Sequence, residues 1–370
     1  MRPIVLFFGG DVMLGRGVDQ ILPHPSDPVL RESHIRDARD YVELAERASG
    51  RIDRPVDFAY PWGDALDELA RTAPDARLVN LETSITSSDS FWPGKAVHYR
   101  MHPGNVPALR AAGIDVCVLA NNHVLDFDRS GLLETLETLR REGLKTAGAG
   151  RDREEAERPA RLELDSTSAV LVFGVAAANS GVPPEWAAGD QRPGVAWVAS
   201  LSEWSARALA DRIAREKRRG EITVASVHWG SNWGYSVPPD HVAFAHRLID
   251  CGVDVVHGHS SHHPRPIEVY RGRLVLYGCG DLLDDYEGIS GYEEYRGNLK
   301  LMYFASLEPS GALADLRMVP MKPRKLRLTR AGPHDARWLA GTLTRVSASF
   351  GVRFETEGDG TLRLRWDART

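Results

Sequence analysis

The sequence predicts an α/β fold in which helices cover layered sheets. Short, continuously apolar runs recur along the chain, as is typical of strands that are buried on both faces. Amphipathic segments with apolar residues at i, i+3 and i+4 lie between several of these runs and predict helices. The apolar runs are IVLFFGGD, ARLVNLET, IDVCVLANNH, AVLVFGVAA, ITVASVHWG, VDVVHGH and RLVLYGCGD.

The predicted elements follow one another in a regular order. IVLFFGGD predicts the first strand, and residues 18–60, rich in proline, histidine and charge, predict an insertion with one helix at DYVELAERAS. We interpret this insertion as a lid or a partner-binding element. Further helices are predicted at WGDALDELARTA, SGLLETLETLRREG, SEWSARALADRIAREKRRG and PPDHVAFAHRLIDCG.

The pattern changes after about residue 300. LKLMYFASLE and ADLRMVPMKP predict strands, DARWLAGTLTRVSASFG predicts a helix, and RFETEGDGTLRLRW predicts a hairpin with an Asp-Gly turn. We expect residues 1–370 to form a single domain, with a core at about 3–330 and a C-terminal extension with additional strands at 331–370.

Composition limits the class of protein. The 370 residues are 42% hydrophobic and 26% charged, as in ordinary folded proteins. A net charge of −5 argues against a nucleic-acid partner, and no apolar stretch of about 18 residues predicts a membrane span. Three widely spaced cysteines, Cys117, Cys251 and Cys279, predict free thiols and a cytoplasmic location. These features leave the oligomeric state open.

Polar residues cluster where the predicted strands end, which is the edge that carries chemistry in α/β folds. Each residue alone could be a turn residue, a helix cap or a structural hydrogen-bonding group. Together, the carboxylates, the amide and the histidines predict a metal site or an acid–base site. The set comprises Asp11, Glu82, Asn122, His123, His228, His257, His259, His262 and Asp281.

Five motifs in this order resemble those of the poly-γ-glutamate capsule-synthesis (CapA-like) proteins. They are GDVMLGR, VNLETSIT, LANNHVLDFDRSGLLETL, VHWGSNW and LIDCGVDVVHGHSSHHPRPIEVYRGRLVLYGCGD, and the resemblance spans roughly residues 3–330. It implies a calcineurin-like metallophosphoesterase fold, a four-layer α/β sandwich with a metal site at the strand ends. The resemblance also implies an acid–base role for His123, with Asp126 orienting its imidazole. The implied metal surroundings are Asp11, Glu82, Asn122, His228, His259 and His262.

The chain departs from the usual motifs at three positions. Met13 replaces the histidine of Asp-x-His, Ser260 replaces a histidine of GHHPH, and Asp281 replaces an asparagine. Compared with the usual motifs, the site therefore has fewer nitrogen donors and one more carboxylate that can offer oxygen ligands. Oxygen-rich sites favour Ca²⁺, Mg²⁺ or Mn²⁺ over Zn²⁺ or Fe. We expect one such divalent ion, partly coordinated by water.

Within the family, the chain is similar to the lasso-peptide epimerases, which invert the C-terminal residue of a precursor peptide. It begins at the predicted first strand, so we expect no membrane anchor. Epimerisation needs a base and an acid on opposite faces of Cα, and an ion that stabilises the enolate. The candidates are His123 and His259, with Asp11, Asp126 and Asp281 as carboxylates whose pairing the sequence leaves open.

Candidate substrate contacts come from loops next to these motifs. Trp92, Trp229, Trp233 and Tyr235 could line a pocket for a bulky, aromatic peptide terminus, with core packing as the alternative. Lys95 or Arg100 could bind the terminal carboxylate.

Hydrolysis of a phosphoester or an amide bond is the alternative activity that the resemblance implies. In that case a metal-bound hydroxide would attack and His123 would protonate the leaving group. The motifs lack a basic phosphate-binding cluster, which argues against a phosphoester. A binding module without activity is a third interpretation. A module without activity does not explain why so many carboxylates and histidines gather at one edge of the predicted sheets.

Overall fold

The computed structural model describes residues 2–166 and 168–367. Two sheets stack face to face in it, and helices cover both outer faces. The strands are β1 (Ile4–Val12), β2 (Ala76–Leu81), β3 (Ser84–Ile85), β4 (Arg100–Met101), β5 (Val116–Val118), β6 (Lys145–Ala147), β7 (Ala149–Gly150), β8 (Ala160–Glu163), β9 (Ala169–Ala177), β10 (Gly194–Val195), β11 (Trp197–Val198), β12 (Ile222–His228), β13 (Val255–His259), β14 (Ile267–Tyr270), β15 (Arg273–Leu276), β16 (Asp281–Leu283), β17 (Lys300–Leu307), β18 (Leu313–Pro323), β19 (Leu328–Arg330), β20 (Val352–Thr356) and β21 (Leu362–Trp366).

The helices alternate with the strands, as the sequence pattern predicts. They are α1 (Arg16–Ile21), α2 (Arg39–Ser49), α3 (Ala65–Thr72), α4 (Pro107–Ala111), α5 (Asp128–Arg141), α6 (Arg153–Glu157), α7 (Glu203–Glu216), α8 (Pro239–Asp250) and α9 (Pro333–Val346). Among the described residues, no helix combines the length and the apolar character that crossing a membrane requires.

The first sheet has the strand order β20-β21-β18-β17-β1-β2-β5-β6, and β16 and β19 pair with β1 and β18. Strand β1 is parallel to β2 and to β16 and antiparallel to β17. The second sheet has the order β11-β9-β12-β13-β15-β14, and β8 pairs with β9. Its central strands β9, β12, β13 and β15 are parallel, so their carboxyl ends lie at one edge.

Three apolar clusters define the layers. One lies between the sheets and joins Phe8 and Leu78 to Val172 and Val224. A second covers the outer face of the first sheet, where α5 packs, and a third covers the outer face of the second sheet, where α7 and α8 pack. The layers are therefore helix, sheet, sheet, helix, and the four-layer sandwich is confirmed.

The C-terminal strands extend the first sheet, as predicted. The hairpin forms as β20 and β21, with Val352 opposite Trp366. Residues 368–370 of the predicted 331–370 extension lie outside the described residues. Cys117, Cys251 and Cys279 are free thiols.

The 18–60 insertion packs more closely than its polar composition indicates. Val42, Ala45, Ile52 and Val56 are buried in the cluster on the outer face of the first sheet. This packing differs from that of a separable lid, because the segment contributes apolar side chains to the core.

Candidate functional site

Strand register gathers the candidate residues at one edge of the sandwich. Asp11, near the end of β1, lies opposite Asn80 of β2 and Asp281 of β16. In the second sheet, His228 ends β12 and lies opposite His259, which ends β13. Because the sheets stack face to face, these residues of both sheets meet.

Asp11, His228 and His259 form a buried group suited to a divalent cation. Each offers one ligand atom, and these atoms all lie within 4.8 Å of one another. The two imidazoles face each other through their Nδ1 atoms, which are 2.9 Å apart. Asn80 Nδ2 donates to Asp11 Oδ1 over 2.7 Å, whereas Asp11 Oδ2 is buried with no partner among the described residues. A carboxylate oxygen without a partner beside two imidazole nitrogens fits a metal ion.

The protonation of the group also fits a cation. Burial and the nearby Asp281 raise the pKa of Asp11 to about 7. Burial and the nearby Asp11 raise the pKa of Glu82 well above its ordinary value. Burial holds the pKa of His228 and that of His259 well below the ordinary value, so both imidazoles are neutral, as metal binding requires.

Of the other three residues expected around the metal, Glu82 and Asn122 lie next to this group. Glu82 Oε2 accepts a hydrogen bond of 3.0 Å from the same Asn80 amide that binds Asp11. Asn122 Oδ1 lies 3.2 Å from His228 Nε2. Since a carbonyl oxygen only accepts, His228 Nε2 donates, and its Nδ1 lone pair points into the metal group. His262 instead contacts Asp281.

His123 forms a dyad with Asp126. Its Nδ1 lies 2.7 Å from Asp126 Oδ2, as the spacing of three residues indicates. The Tyr99 ring stacks on the imidazole, and Lys95 binds Asp126 and the Asn122 carbonyl. Burial lowers the pKa of His123 to about 4, so the imidazole is neutral at pH 7. Its Nε2 lies 3.9 Å from Glu82 Oε1.

A second dyad joins His262 to Asp281. His262 Nδ1 lies 3.0 Å from Asp281 Oδ1, and Lys300 Nζ lies 3.4 Å from Asp281 Oδ2. Burial opposes a charge on His262, but Asp281 outweighs it and raises the pKa of His262. Burial likewise opposes a charge on Asp281, but His262 and Lys300 hold its pKa at about 2.

The expectation that His259 is the second acid–base histidine is corrected. Its side chain is fully buried, and its two nitrogens lie 2.9 Å from Ser226 Oγ and from His228 Nδ1. Its Nε2 is bonded to Ser226 and its Nδ1 faces the metal group, so neither nitrogen is directed at a substrate in the cavity. His262 has the carboxylate partner and faces the cavity, so it fits that role.

The histidines of both dyads, His123 and His262, line one cavity of about 400 Å³, together with Glu82, Lys95 and Tyr286. A neighbouring chamber of about 650 Å³ shares His262 and Tyr286 with this cavity. We call it the aromatic chamber, because Trp233, Tyr286 and Tyr292 line it, and the rings of Trp233 and Tyr292 stack 4.3 Å apart.

The other predicted substrate contacts are distributed differently. Trp233 reaches the aromatic chamber and Lys95 reaches the cavity. Tyr235 packs edge-on against His263 and beside Tyr295, next to the chamber. Trp92 is half-buried against Trp186, in the outer apolar cluster.

Two predicted contacts are wrong. Trp229 is 1% exposed, donates from Nε1 to the Tyr277 carbonyl over 2.9 Å and packs on His241 in the core. Arg100 binds Asp89 and the backbone carbonyls of Ser88 and Asp27, so its guanidinium has no free side for a substrate carboxylate.

Several residues of the site escaped the sequence analysis. Asn80 bridges Asp11 and Glu82, Ser226 contacts His259, and Lys300 neutralises Asp281. Asn80 and Ser226 stand two residues before Glu82 and His228, and alternate residues share one face of a strand. That spacing could have identified both. Lys300 lies in an apolar run and gives no such signal.

The chain is similar to known proteins over most of its length. The chain is 52% identical over 366 residues to a probable polyglutamine synthesis accessory protein of Mycobacterium tuberculosis, covering 98% of this chain and 96% of that protein. It is 24% identical over 289 residues to the PGA biosynthesis protein CapA of Bacillus subtilis, covering 77% of this chain and 70% of that protein. A solved 5'-nucleotidase precursor from Thermus thermophilus aligns with 93% of this chain and 58% of its own, with a TM-score of 0.47 and 13% identity.

The family model covers most of the sandwich and every residue of the two dyads and the metal group. The model of the bacterial capsule synthesis protein PGA_cap matches residues 5–286. With the 52% identity to the mycobacterial protein, this match shows that the chain belongs to the bacterial capsule synthesis protein (PGA_cap) family.

Proposed function

We propose that the protein is a metal-dependent peptide epimerase that inverts one Cα with His123 and His262 as its acid–base pair. One observation carries the proposal. Two imidazoles, each bonded through Nδ1 to a carboxylate, line the same cavity beside the metal group. Inversion needs two proton-transfer groups, whereas hydrolysis needs only one beside the metal.

The hydrogen bonds of the two histidines indicate which one acts as the base and which one as the acid. In each dyad the carboxylate holds Nδ1–H, which leaves Nε2 of His123 to exchange a proton with the substrate. Nε2 of His262 lies 2.9 Å from the Asn232 side-chain amide, a contact that the substrate would replace. His123 is neutral, so its Nε2 accepts the Cα proton. His262 Nε2 delivers a proton to the opposite face, and solvent then restores both protonation states. The opposite directions of the two pKa shifts support this division of roles.

Asp11, His228 and His259 would hold the metal. At this position a divalent ion would supply Lewis-acid chemistry, polarising the carbonyl group next to Cα so that the Cα proton becomes more acidic. Two imidazoles and one carboxylate form a mixed nitrogen–oxygen donor set, and Mn²⁺ is the ion of the expected group that this set suits best.

The cavities support a peptide substrate with a bulky C-terminal residue. Three of the charged side chains that line the aromatic chamber have close partners: Asp284 binds Lys300, Glu287 binds Ser49 and the Leu326 amide, and Arg296 binds Asp335. A neutral ring therefore suits the chamber better than a charged group. Lys95, at the cavity wall, would attract the terminal carboxylate. A lasso-type precursor peptide with an aromatic C-terminus has this chemistry.

The names of relatives suggest a second class of polyamide. A 52% identical protein is named for polyglutamine synthesis and a 24% identical one for PGA biosynthesis. A glutamine side chain is neutral and would also enter the chamber without an unpaired charge. The test therefore includes both substrates.

The experiment is incubation of Mn²⁺-loaded protein in D₂O with a peptide that ends in tryptophan and, separately, with a glutamine oligomer. We expect deuterium at one Cα, inversion of that centre by chiral analysis and an intact backbone. His123→Gln and His262→Gln should each abolish inversion. Each should leave Cα exchange in only one of the two stereoisomers, because each variant keeps one base.

Amide hydrolysis is the second candidate, because the metal group lies beside one acid, His123. It predicts shorter products without deuterium at Cα. It also predicts that His262→Gln leaves the rate largely unchanged. Phosphoester hydrolysis has less support, because Arg16 at the cavity wall is bound to Glu32 and Asp285.

A further inference from the structure

We infer that Ser226 and His257 are positioning residues that fix His259 as the tautomer whose Nδ1 is free to bind a cation. The inference concerns the metal group. It holds whether the enzyme inverts or hydrolyses its substrate.

An unbroken series of hydrogen-bond contacts runs from the backbone of β1 to the metal group. His257 Nε2 lies 3.0 Å from the Gly9 carbonyl oxygen, and His257 Nδ1 lies 2.9 Å from Ser226 Oγ. Ser226 Oγ lies 2.9 Å from His259 Nε2, and His259 Nδ1 lies 2.9 Å from His228 Nδ1. Every side chain in the series is fully buried.

The direction of every bond follows from the first one. A carbonyl oxygen only accepts, so His257 Nε2 carries the proton, and Nδ1 of this neutral ring accepts. Ser226 therefore donates its single hydroxyl hydrogen to His257. The Ser226 oxygen then accepts from His259 Nε2–H. His259 Nδ1 is left with a lone pair.

This lone pair points at the metal group. With Asn122 Oδ1 as the acceptor for His228 Nε2–H, His228 Nδ1 has a lone pair as well, and in that arrangement two lone pairs face each other at 2.9 Å. Such an arrangement is repulsive unless a positive charge lies between or beside the two nitrogens. The series of hydrogen bonds therefore prepares a cation site before any cation arrives.

The strands keep the series in place. Ser226 lies opposite His257, and His228 opposite His259, in the parallel register of β12 and β13. Phe8, from the first sheet, packs against the His257 ring. Because water has no access to these buried groups, a broken link would leave His259 free to move its proton to Nδ1. Loss of such an outer hydrogen bond commonly weakens metal binding about 10–100-fold.

The test compares Ser226→Ala with Thr223→Val. Both remove a buried hydroxyl from β12, but Thr223 bonds to Asp254 and has no link to His259. Mn²⁺ affinity is measured by calorimetry, and the tautomer of His259 is measured in metal-free protein by ¹⁵N NMR of labelled histidine. We expect Ser226→Ala to bind Mn²⁺ about 10–100-fold more weakly and to gain Nδ1–H at His259. Thr223→Val should match the wild type, and Ser226→Thr, which keeps a hydroxyl, should restore binding.

Unchanged Mn²⁺ affinity and an unchanged His259 tautomer in folded Ser226→Ala would overturn the inference. If that variant does not fold, the wild-type spectrum decides. Nε2–H at both His257 and His259 supports the inference, and Nδ1–H at His259 overturns it. Since neither readout uses a substrate, failure of the proposed epimerase activity leaves this test intact.

Discussion

Tyr99 lies face to face on the imidazole of His123, with ring centroids 3.8 Å apart and an interplanar angle of 19°. The Tyr99 amide also donates to Asp126 Oδ2 over 2.7 Å, so one residue contacts both members of the dyad. The guanidinium of Arg16 lies 4.6 Å from the centroid of the Tyr99 ring. The backbone of Arg16 itself has a φ of 44°. The 18–60 insertion supplies Glu32 and Tyr41, which bind that guanidinium.

Replacing Tyr99 with leucine should misplace His123. Loss of the stacked ring lets the imidazole tilt, and a misplacement of about 1 Å can cost on the order of 10²-fold in rate. We expect the loss in kcat, with KM changed much less. Tyr99→Phe keeps the ring and removes only the contact with Tyr286, so it should stay close to wild type. Equal losses in both variants would show that the hydroxyl, not the ring, matters.

Asp126→Asn should reduce turnover by roughly 10²–10⁴-fold, the usual contribution of a proton-transfer group. The amide no longer stabilises a positive charge on His123 during proton transfer. Asp128→Asn is the control, because Asp128 has an exposed carboxylate and its φ of 59° suits asparagine equally well. Comparable activity of the two variants would contradict the dyad.

Removal of divalent ions should abolish activity and lower the melting temperature. A ligand that binds only the folded state at about 100 times its Kd adds about 2.7 kcal/mol of stability. We expect Mn²⁺ to restore both properties better than Mg²⁺ or Ca²⁺, which prefer sites built from oxygen ligands, and Asp11→Asn to bind none of them tightly. Elemental analysis and thermal scans measure this. Full activity after exhaustive chelation would refute the metal site.

Acidification should destabilise the fold through buried neutral histidines. Burial lowers the pKa of His241 to about 4, whereas the unfolded value is about 6.5. Because the folded pKa is the lower one, the unfolded state binds more protons, and stability is lost as pH falls from about 6.5 to about 4. Urea denaturation between pH 8 and pH 5 measures this effect. His241→Gln should show a shallower dependence on pH, and an identical slope would contradict the prediction.

Two tryptophans four residues apart should respond differently to alanine. Trp229→Ala empties a core position, which typically costs about 3–5 kcal/mol of stability. Trp233→Ala removes a wall of the aromatic chamber and should raise KM for a peptide with an aromatic terminus while leaving the melting temperature nearly unchanged. Chemical denaturation and steady-state kinetics separate the two effects. A Trp233→Ala variant with wild-type KM would exclude the chamber as a substrate site.

The layered fold and the positions of the strand ends were predictable, because burial on both faces gives continuous apolar runs. The partners of the side chains were not. His262 reaches Asp281 only because the loop after β13 turns at Ser260, whose φ of 105° is unusual for a residue with a Cβ atom. Trp229 and Trp233 both stand near glycines, and only the tertiary packing separates a core residue from a chamber wall. The packing of residues 18–60 into the core was not predicted, because the few apolar residues of this segment are separated by charged ones.

The metal group takes Asp11 from one sheet and His228 and His259 from the other. A bound ion would therefore link the two sheets at this edge of the sandwich, and the register of one layer against the other sets the distance between its ligands. Substitutions among apolar residues that join the layers, such as Phe8 or Val224, could then present as loss of metal rather than loss of folding. In this protein the packing between the sheets therefore determines how well the metal ligands are placed.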